Sequence, residues 1–407
     1  MKRLTAITLA VALLLALFTL SACNNHENNN DIAAPVGEPT PHPWVFVHGL
    51  NGFGEDSDVP AAYWGGTAGD LLAELRSEGF TIHAPTVSPS GSARDRAAEL
   101  FAQLTGTQVD YGHAHAYLHG IDRFGTAHYP PMVSGWGERD SNGHLQKVNL
   151  IGHSFGGNTI RALAGLLQHG CPEEQAHAAA TGEEISPLFV GGKADWVHSL
   201  TTIATPHNGV SLLVMLDANP LLAAVASALP QSQIDQTMRA LGIYIPGITS
   251  FVDFLNASQN ANNAFADLTL PGAETLNAIT RPAPNTFYFS FAVDGTENGR
   301  PVANEMSAPS RLLGTYIGNF TYPAGGITAA WRANDGLVNT ISATRPFNQQ
   351  HVQVPSFGFP QPPLPGQWYV MPTVRGDHGS IIGLGRTMDD ILPMYLEHMR
   401  LVDELVA

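Results

Sequence analysis

Six short apolar runs punctuate the chain, at 44–47, 80–84, 148–151, 197–204, 286–292 and 368–374. Short runs rich in apolar residues such as these predict β-strands. Between several of them lie stretches with helical spacing, at 68–77, 94–104 and 158–168. Strands alternating with helices predict an α/β fold, a mostly parallel sheet flanked by helices. Residues 209–265 break this rhythm. They hold a run from Leu212 to Leu216 and further apolar pieces at 221–229 and 248–255, separated by Pro and Gly. Such pieces read equally as core helices or as a mobile cap whose apolar face covers a greasy site. No internal repeat is visible.

The first 43 residues read as an address and a tether. Lys2 and Arg3 precede an apolar stretch from Leu4 to Leu20, and Leu20-Ser21-Ala22-Cys23 follows. A basic start, an apolar core and small residues before a cut site predict a secretory signal over 1–22. The stretch is short for a membrane span and carries Thr5, Thr8 and Thr19. Leu-Ser-Ala-Cys resembles the lipobox of bacterial lipoproteins, which implies acylation of Cys23 and an exported, membrane-anchored protein at the cell surface or in the periplasm. Simple secretion is the alternative. Residues 23–43 are polar and then Pro-rich, as expected of a flexible tether, leaving 44–407 as one domain.

Composition narrows the class. With 44% hydrophobic and only 13% charged residues among 407, the chain is neither a disordered protein nor a coiled coil. Its formal charge of −16 repels phosphate backbones, so nucleic acid is not an expected partner. No obligate protein partner is evident either. There are two cysteines; with Cys23 taken by lipid, Cys171 stands alone, so no internal disulfide is expected.

The chemistry begins at Gly152-His153-Ser154-Phe155-Gly156, where a strand runs into G-x-S-x-G and then a helix. A turn this tight leaves no room for side chains two positions before and two after the Ser. It also forces the Ser into a strained backbone with its hydroxyl exposed. Ser154 is therefore the candidate nucleophile. Acyl transfer needs donors for the developing oxyanion. The N–H of Phe155 is one candidate; the N–H of Leu50, in the His48-Gly49-Leu50 turn after the first strand, is the other. A base and its acid must follow the Ser in the order Ser, Asp or Glu, His. His207 comes too early and His351 sits in a polar stretch, which leaves His378 in Gly376-Asp377-His378-Gly379. For the acid, Asp335 competes with Asp294 and Asp377.

Taken together, these residues resemble the thermostable lipases of bacilli and the related staphylococcal lipases, which are α/β-hydrolases. The resemblance runs from about Pro43 to Val406. It is carried by Tyr63-Trp64-Gly65-Gly66-Thr67-Ala68-Gly69-Asp70, Val109-Asp110-Tyr111-Gly112-His113-Ala114-His115, Thr201 to His207, Leu270-Pro271-Gly272-Ala273-Glu274 and Asn334-Asp335-Gly336. It implies Ser154, Asp335 and His378 as the triad, Leu50 and Phe155 as oxyanion donors, and a shortened helical lid near 209–265.

The family carries a structural zinc held by two Asp and two His in an insertion. Asp70, His115 and Asp267 match three of its ligands by resemblance. The fourth position is Ile121 here, so His119, Asp122 or His113 would have to complete the four ligands a structural zinc needs. The family's calcium acids, shortly after the catalytic His, have no counterpart in 379–385, so no calcium is expected.

The expected function is a serine carboxylic ester hydrolase acting on lipids, foremost a triacylglycerol lipase. A hydrolase of short-chain or polymeric esters is the alternative, because a shortened lid would open the site. Acyl transfer to an alcohol and non-catalytic surface binding stand behind these two.

Overall fold

In the computed structural model, the structure describes residues 42–59, 62–218, 262–356, 359 and 361–405. The signal at 1–22, the lipidation site Cys23 and most of the expected tether lie outside the described residues, as does 219–261 of the expected lid.

In chain order the first half comprises β1 (Trp44–Val47), α1 (Leu71–Ser77), β2 (Ile82–His83), α2 (Ala93–Thr105), β3 (Gln108–Asp110), α3 (His113–His119), β4 (Phe124–His128), β5 (Val148–His153), α4 (Phe155–His169), α5 (Pro172–Thr181), α6 (Pro187–Val190) and β6 (Val197–Ile203). The second half follows with α7 (Ser211–Asp217), α8 (Ala264–Leu268), α9 (Leu270–Ile279), β7 (Phe287–Phe291), β8 (Val293–Asp294), β9 (Thr296–Glu297), β10 (Arg300–Pro301), α10 (Ala308–Asn319), α11 (Thr340–Thr344), β11 (His351–Gln353), β12 (Trp368–Val370), β13 (Val374–Arg375) and α12 (Met388–Asp403).

Seven strands form one sheet in the order β11-β12-β7-β6-β5-β1-β2, and every neighbouring pair is parallel. The alternation of side chains along β1 shows why its sequence is apolar at every position. Val45 and Val47 join a core with α2 and α4, whereas Trp44 and Phe46 join a second core with α1 and α12. All four are fully buried. A sheet covered on both faces is the α/β-hydrolase arrangement, as the sequence predicts.

The differences sit at edges. The 368–374 run divides: β12 stays in the main sheet, and β13 pairs with β8 instead. His351, expected in a polar loop, lies on the edge strand β11, whose three residues are all exposed. An exposed edge has no apolar face to bury, so it leaves no pattern in the sequence. The antiparallel pair β3–β4 and helix α3 form an insertion between α2 and β5.

The near end of the expected lid is fixed to the body. Ser211 N–H donates to Asn339 Oδ1 at 2.9 Å, Ser342 Oγ donates to the Gly209 carbonyl at 2.7 Å, and Val210 and Leu212 are buried. Cys171 is free and buried, its thiol directed at Glu173. No helix among the described residues is long and apolar enough to cross a membrane.

Candidate active site

Ser154 sits between β5 and α4 with φ 55° and ψ −128°. A non-glycine residue in this region is strained, and the packing around it holds the strain in place. A Cβ on Gly152 would lie 2.5 Å from the Gly156 carbonyl carbon, and one on Gly156 would lie 2.1 Å from the Val47 carbonyl oxygen. Glycine at both positions lets α4 press against the ends of β5 and β1. As the first residue of α4, Phe155 has no carbonyl within the helix to meet its N–H, and the helix's positive end faces the Ser154 hydroxyl.

His378 arrives on the loop after β13. Its Nε2 lies 2.8 Å from Ser154 Oγ and its Nδ1 lies 2.7 Å from Asp335 Oδ2. The fully buried Asp335 takes the Leu337 and Val338 N–H groups on its other oxygen, at 2.9 and 2.7 Å, while its backbone carbonyl accepts the His378 N–H. The acids in competition are occupied elsewhere. Asp377 accepts from the Ser307 and Ser380 N–H groups, and Asp294 from Thr296. Burial alone would lower the His378 pKa. The charge and hydrogen bond of Asp335, with Asp377 behind, outweigh it and hold the pKa above the ordinary histidine value. His207 is buried against Thr202 on β6.

The loop of the second oxyanion candidate passes beside Ser154: a Cβ on Gly49 would lie 2.8 Å from Ser154 Cβ. Three groups hold this loop: Arg96 and His48, which are buried, and Tyr63, which is partly buried. Arg96, on α2, donates to the carbonyls of His48 at 2.5 Å and Gly49 at 3.4 Å, and its guanidinium lies over the Phe155 ring. The His48 ring spans its own loop, with Nδ1 donating to the Gly49 carbonyl and Nε2 accepting the Val87 N–H. Tyr63 accepts the Gly49 N–H at 2.7 Å and contacts His153 at 2.7 Å. Apart from the His48 contact with its neighbour Gly49, these contacts span 14 to 90 residues along the chain and leave no signal in spacing.

Of the expected zinc ligands, Asp70 lies apart from His115 and Asp267, which both adjoin Asp95. Asp70 caps α1, accepting the Ala73 N–H at 3.0 Å. His115 instead pairs with Asp95, its Nε2 2.8 Å from Oδ1, and Asn262 donates to the other Asp95 oxygen. Asp267 accepts the Ala93 N–H at 2.7 Å. Burial, with the charge of Asp95 adding to it, raises the Asp267 pKa to about 7. Asp95 therefore stands where Asp70 was expected. No three of these residues, with His119 and Asp122, bring ligand atoms within 4.8 Å of one another, and Ile121 offers none.

Among the described residues such convergence occurs at His113, His177 and Glu183. There the imidazoles stack with 13° between their planes, and Arg123 lies on the same carboxylate oxygen. One ion cannot lie in the planes of two stacked parallel rings, so this cluster is a hydrogen-bonded one.

Known proteins agree with this architecture. Residues 40–404 match the family described as "Lipase-like, C-terminal domain". A lipase of Staphylococcus epidermidis is 33% identical over an alignment 382 positions long that covers 89% of this chain and 53% of that protein. The chain thus spans about half the length of the curated relatives it matches. Among solved structures, Staphylococcus hyicus lipase superposes with a TM-score of 0.71 at 31% identity, covering 94% of this chain and 98% of that one. Lipase 1 from Pelosinus fermentans gives 0.70 at 32%, covering 90% and 100%. By sequence and by fold, this chain belongs to the lipase-like C-terminal domain family, alongside the staphylococcal lipases.

Proposed function

We propose that the protein is a serine carboxylic ester hydrolase acting on lipid esters, with Ser154 as nucleophile, His378 as base and Asp335 as its acid. The observation that carries this reading is the hydrogen-bonded line from Ser154 Oγ through His378 to Asp335, at 2.8 and 2.7 Å. Ser154 Oγ attacks the ester carbonyl carbon and its proton passes to His378 Nε2, while Asp335 steadies the imidazolium through Nδ1–H. The carbonyl oxygen, now negative, accepts the N–H groups of Phe155 and Leu50. Collapse expels the alcohol, which takes the proton from His378. Water, deprotonated by the same imidazole, then releases the acid from the acyl-enzyme.

The decisive experiment measures hydrolysis of esters graded from acetyl to long-chain emulsified triglyceride, in the parent and in Ser154→Ala. Activity that reaches the long emulsified substrate and disappears in the variant supports a lipase. Activity confined to short or polymeric esters makes the enzyme an esterase, and activity that survives in Ser154→Ala removes the serine mechanism. Export and anchoring through an acylated Cys23 belong to the same proposal. Cys23→Ser is expected to move the protein from the membrane fraction to the soluble one; retention on membranes removes the anchor.

A further inference from the structure

One chain of hydrogen bonds touches all three parts of the site without touching the reacting atoms. Gly49, next to Leu50, gives its N–H to Tyr63 Oη at 2.7 Å; Tyr63 Oη meets His153 Nδ1 at 2.7 Å; His153 Nε2 lies 3.0 Å from the carbonyl of His378. The proton positions follow from what each group can do. A backbone N–H only donates, so Tyr63 accepts from Gly49 and its own proton points to Nδ1. A carbonyl only accepts, so Nε2 carries the remaining proton. His153 is thus a neutral imidazole of one tautomer, and burial keeps its pKa well below the ordinary value, with the nearby His378 adding to the effect.

The ends of the chain matter. At one end is the turn that aims the Leu50 N–H, at the other the backbone of the catalytic histidine. In the middle His153 is covalently joined to Ser154. The Tyr63 ring is held edge-on between Phe53 and Trp64, at 5.9 and 5.5 Å, so its hydroxyl is fixed by packing.

We infer that Tyr63 and His153 are positioning residues that hold the oxyanion turn and the His378 loop in register with Ser154. The inference rests on the serine hydrolase reading above. Losing the Tyr63 hydroxyl frees the Gly49 N–H and the His153 ring together, so the oxyanion donor and the base both drift. Substrate binding, which does not use this chain, is left nearly as it was.

The test is steady-state kinetics on a soluble p-nitrophenyl ester with Tyr63→Phe, His153→Leu, their double variant and His153→Gln, beside Ser154→Ala. Inhibition by an alkyl boronic acid, whose Ser adduct occupies the oxyanion site, is measured in parallel. Each of Tyr63→Phe and His153→Leu is expected to lower kcat about tenfold to a hundredfold, with KM within about threefold and boronate affinity weakened in step. The double variant should be no worse than the poorer single one, because each breaks the same chain. Gln offers an amide oxygen to Tyr63 and an amide N–H to the His378 carbonyl, so His153→Gln should recover to within about threefold of the parent.

A Tyr63→Phe enzyme within about twofold of parental kcat overturns the inference. So do losses that multiply in the double variant, or a Gln variant as poor as Leu. Should His153→Leu not fold, Tyr63→Phe decides alone through its kcat and boronate affinity, since Phe keeps the ring and its packing. Activity persisting in Ser154→Ala would remove the serine reading itself and is distinct from each of these outcomes.

Discussion

The guanidinium of Arg96 lies over the ring of Phe155, 5.2 Å from its centroid, while its N–H groups hold the carbonyls of His48 and Gly49. One buried cation thus clasps both the turn carrying the Leu50 N–H and Phe155, the two residues proposed to supply the oxyanion donors. Burial lowers the Arg96 pKa to about 10, against the opposing charge of Glu99, and it stays charged at neutral pH. Arg96→Met should lower kcat by roughly tenfold to a hundredfold and cost about 3–5 kcal/mol of stability. Arg96→Lys keeps the charge but loses the planar fork, so kcat should fall while less stability is lost. Urea melts alongside kinetics check both; an Arg96→Met enzyme of unchanged kcat would show that the clasp is structural only.

The pH profile follows from His378. As the proposed base it acts in its neutral form, and against the lowering effect of burial Asp335 holds its pKa above the ordinary 6.5. Activity is therefore expected to fall as pH drops through a midpoint above that value. Asp335→Asn removes the charge that raises it, so the acid limb should move to lower pH while kcat falls by about 10⁴. A profile of kcat/KM on a soluble ester reads both effects. An unmoved limb in the Asn variant would assign the titration to another group.

Stability carries a second pH signature, at Asp267. Its folded pKa is raised to about 7 from an ordinary 3.8, first by burial and then by Asp95. The folded protein holds this proton where the unfolded chain has lost it. The stability it gives is complete below the unfolded pKa and declines as pH rises through the folded one. Asp267→Asn should flatten this decline and stabilise the protein at pH 8 by on the order of 2–4 kcal/mol. Urea melts at pH 4 and pH 8, with and without added zinc, give the answer. Zinc that stabilises the parent but not the variant would mean the carboxylates gather around an ion after all.

Gly156 tests the elbow. Any Cβ there meets the Val47 carbonyl oxygen at 2.1 Å, and the obstacle is backbone at the end of β1, not a side chain that can turn away. Gly156→Ala should cost about 1–3 kcal/mol or more and displace α4 with Ser154, lowering kcat. Thermal melts and kinetics together measure it; a variant of parental stability and activity would mean that α4 shifts freely.

Several features are legible in the sequence because they are local or repeat with a fixed period. β1 (WVFV) and β7 (FYFSF) are almost wholly apolar because both faces of the sheet are covered, and β5 and β6 are short apolar-rich runs set between helical stretches. Ser154 is legible because the turn that exposes it requires glycine at 152 and 156. His378 follows from chain order and its place after the last long apolar run. The acid is less firmly legible: Asp335 ends a turn between apolar runs and Asp377 adjoins the histidine, but Asp294 fits the order as well, and the resemblance implies Asp335.

Tertiary structure decided what depends on residues far apart in sequence. Asp335 reaches His378 across 43 positions, and Tyr63 reaches His153 across 90. Asp70 and Asp95 both precede His115 at plausible spacing, yet Asp70 is spent on capping α1 and Asp95 faces the imidazole. Hydrophobic periodicity fixes which face of an element is buried. It carries no information about which polar atoms meet once those faces pack, because each hydrogen bond depends on positions accurate to a few tenths of an ångström that the whole fold sets together.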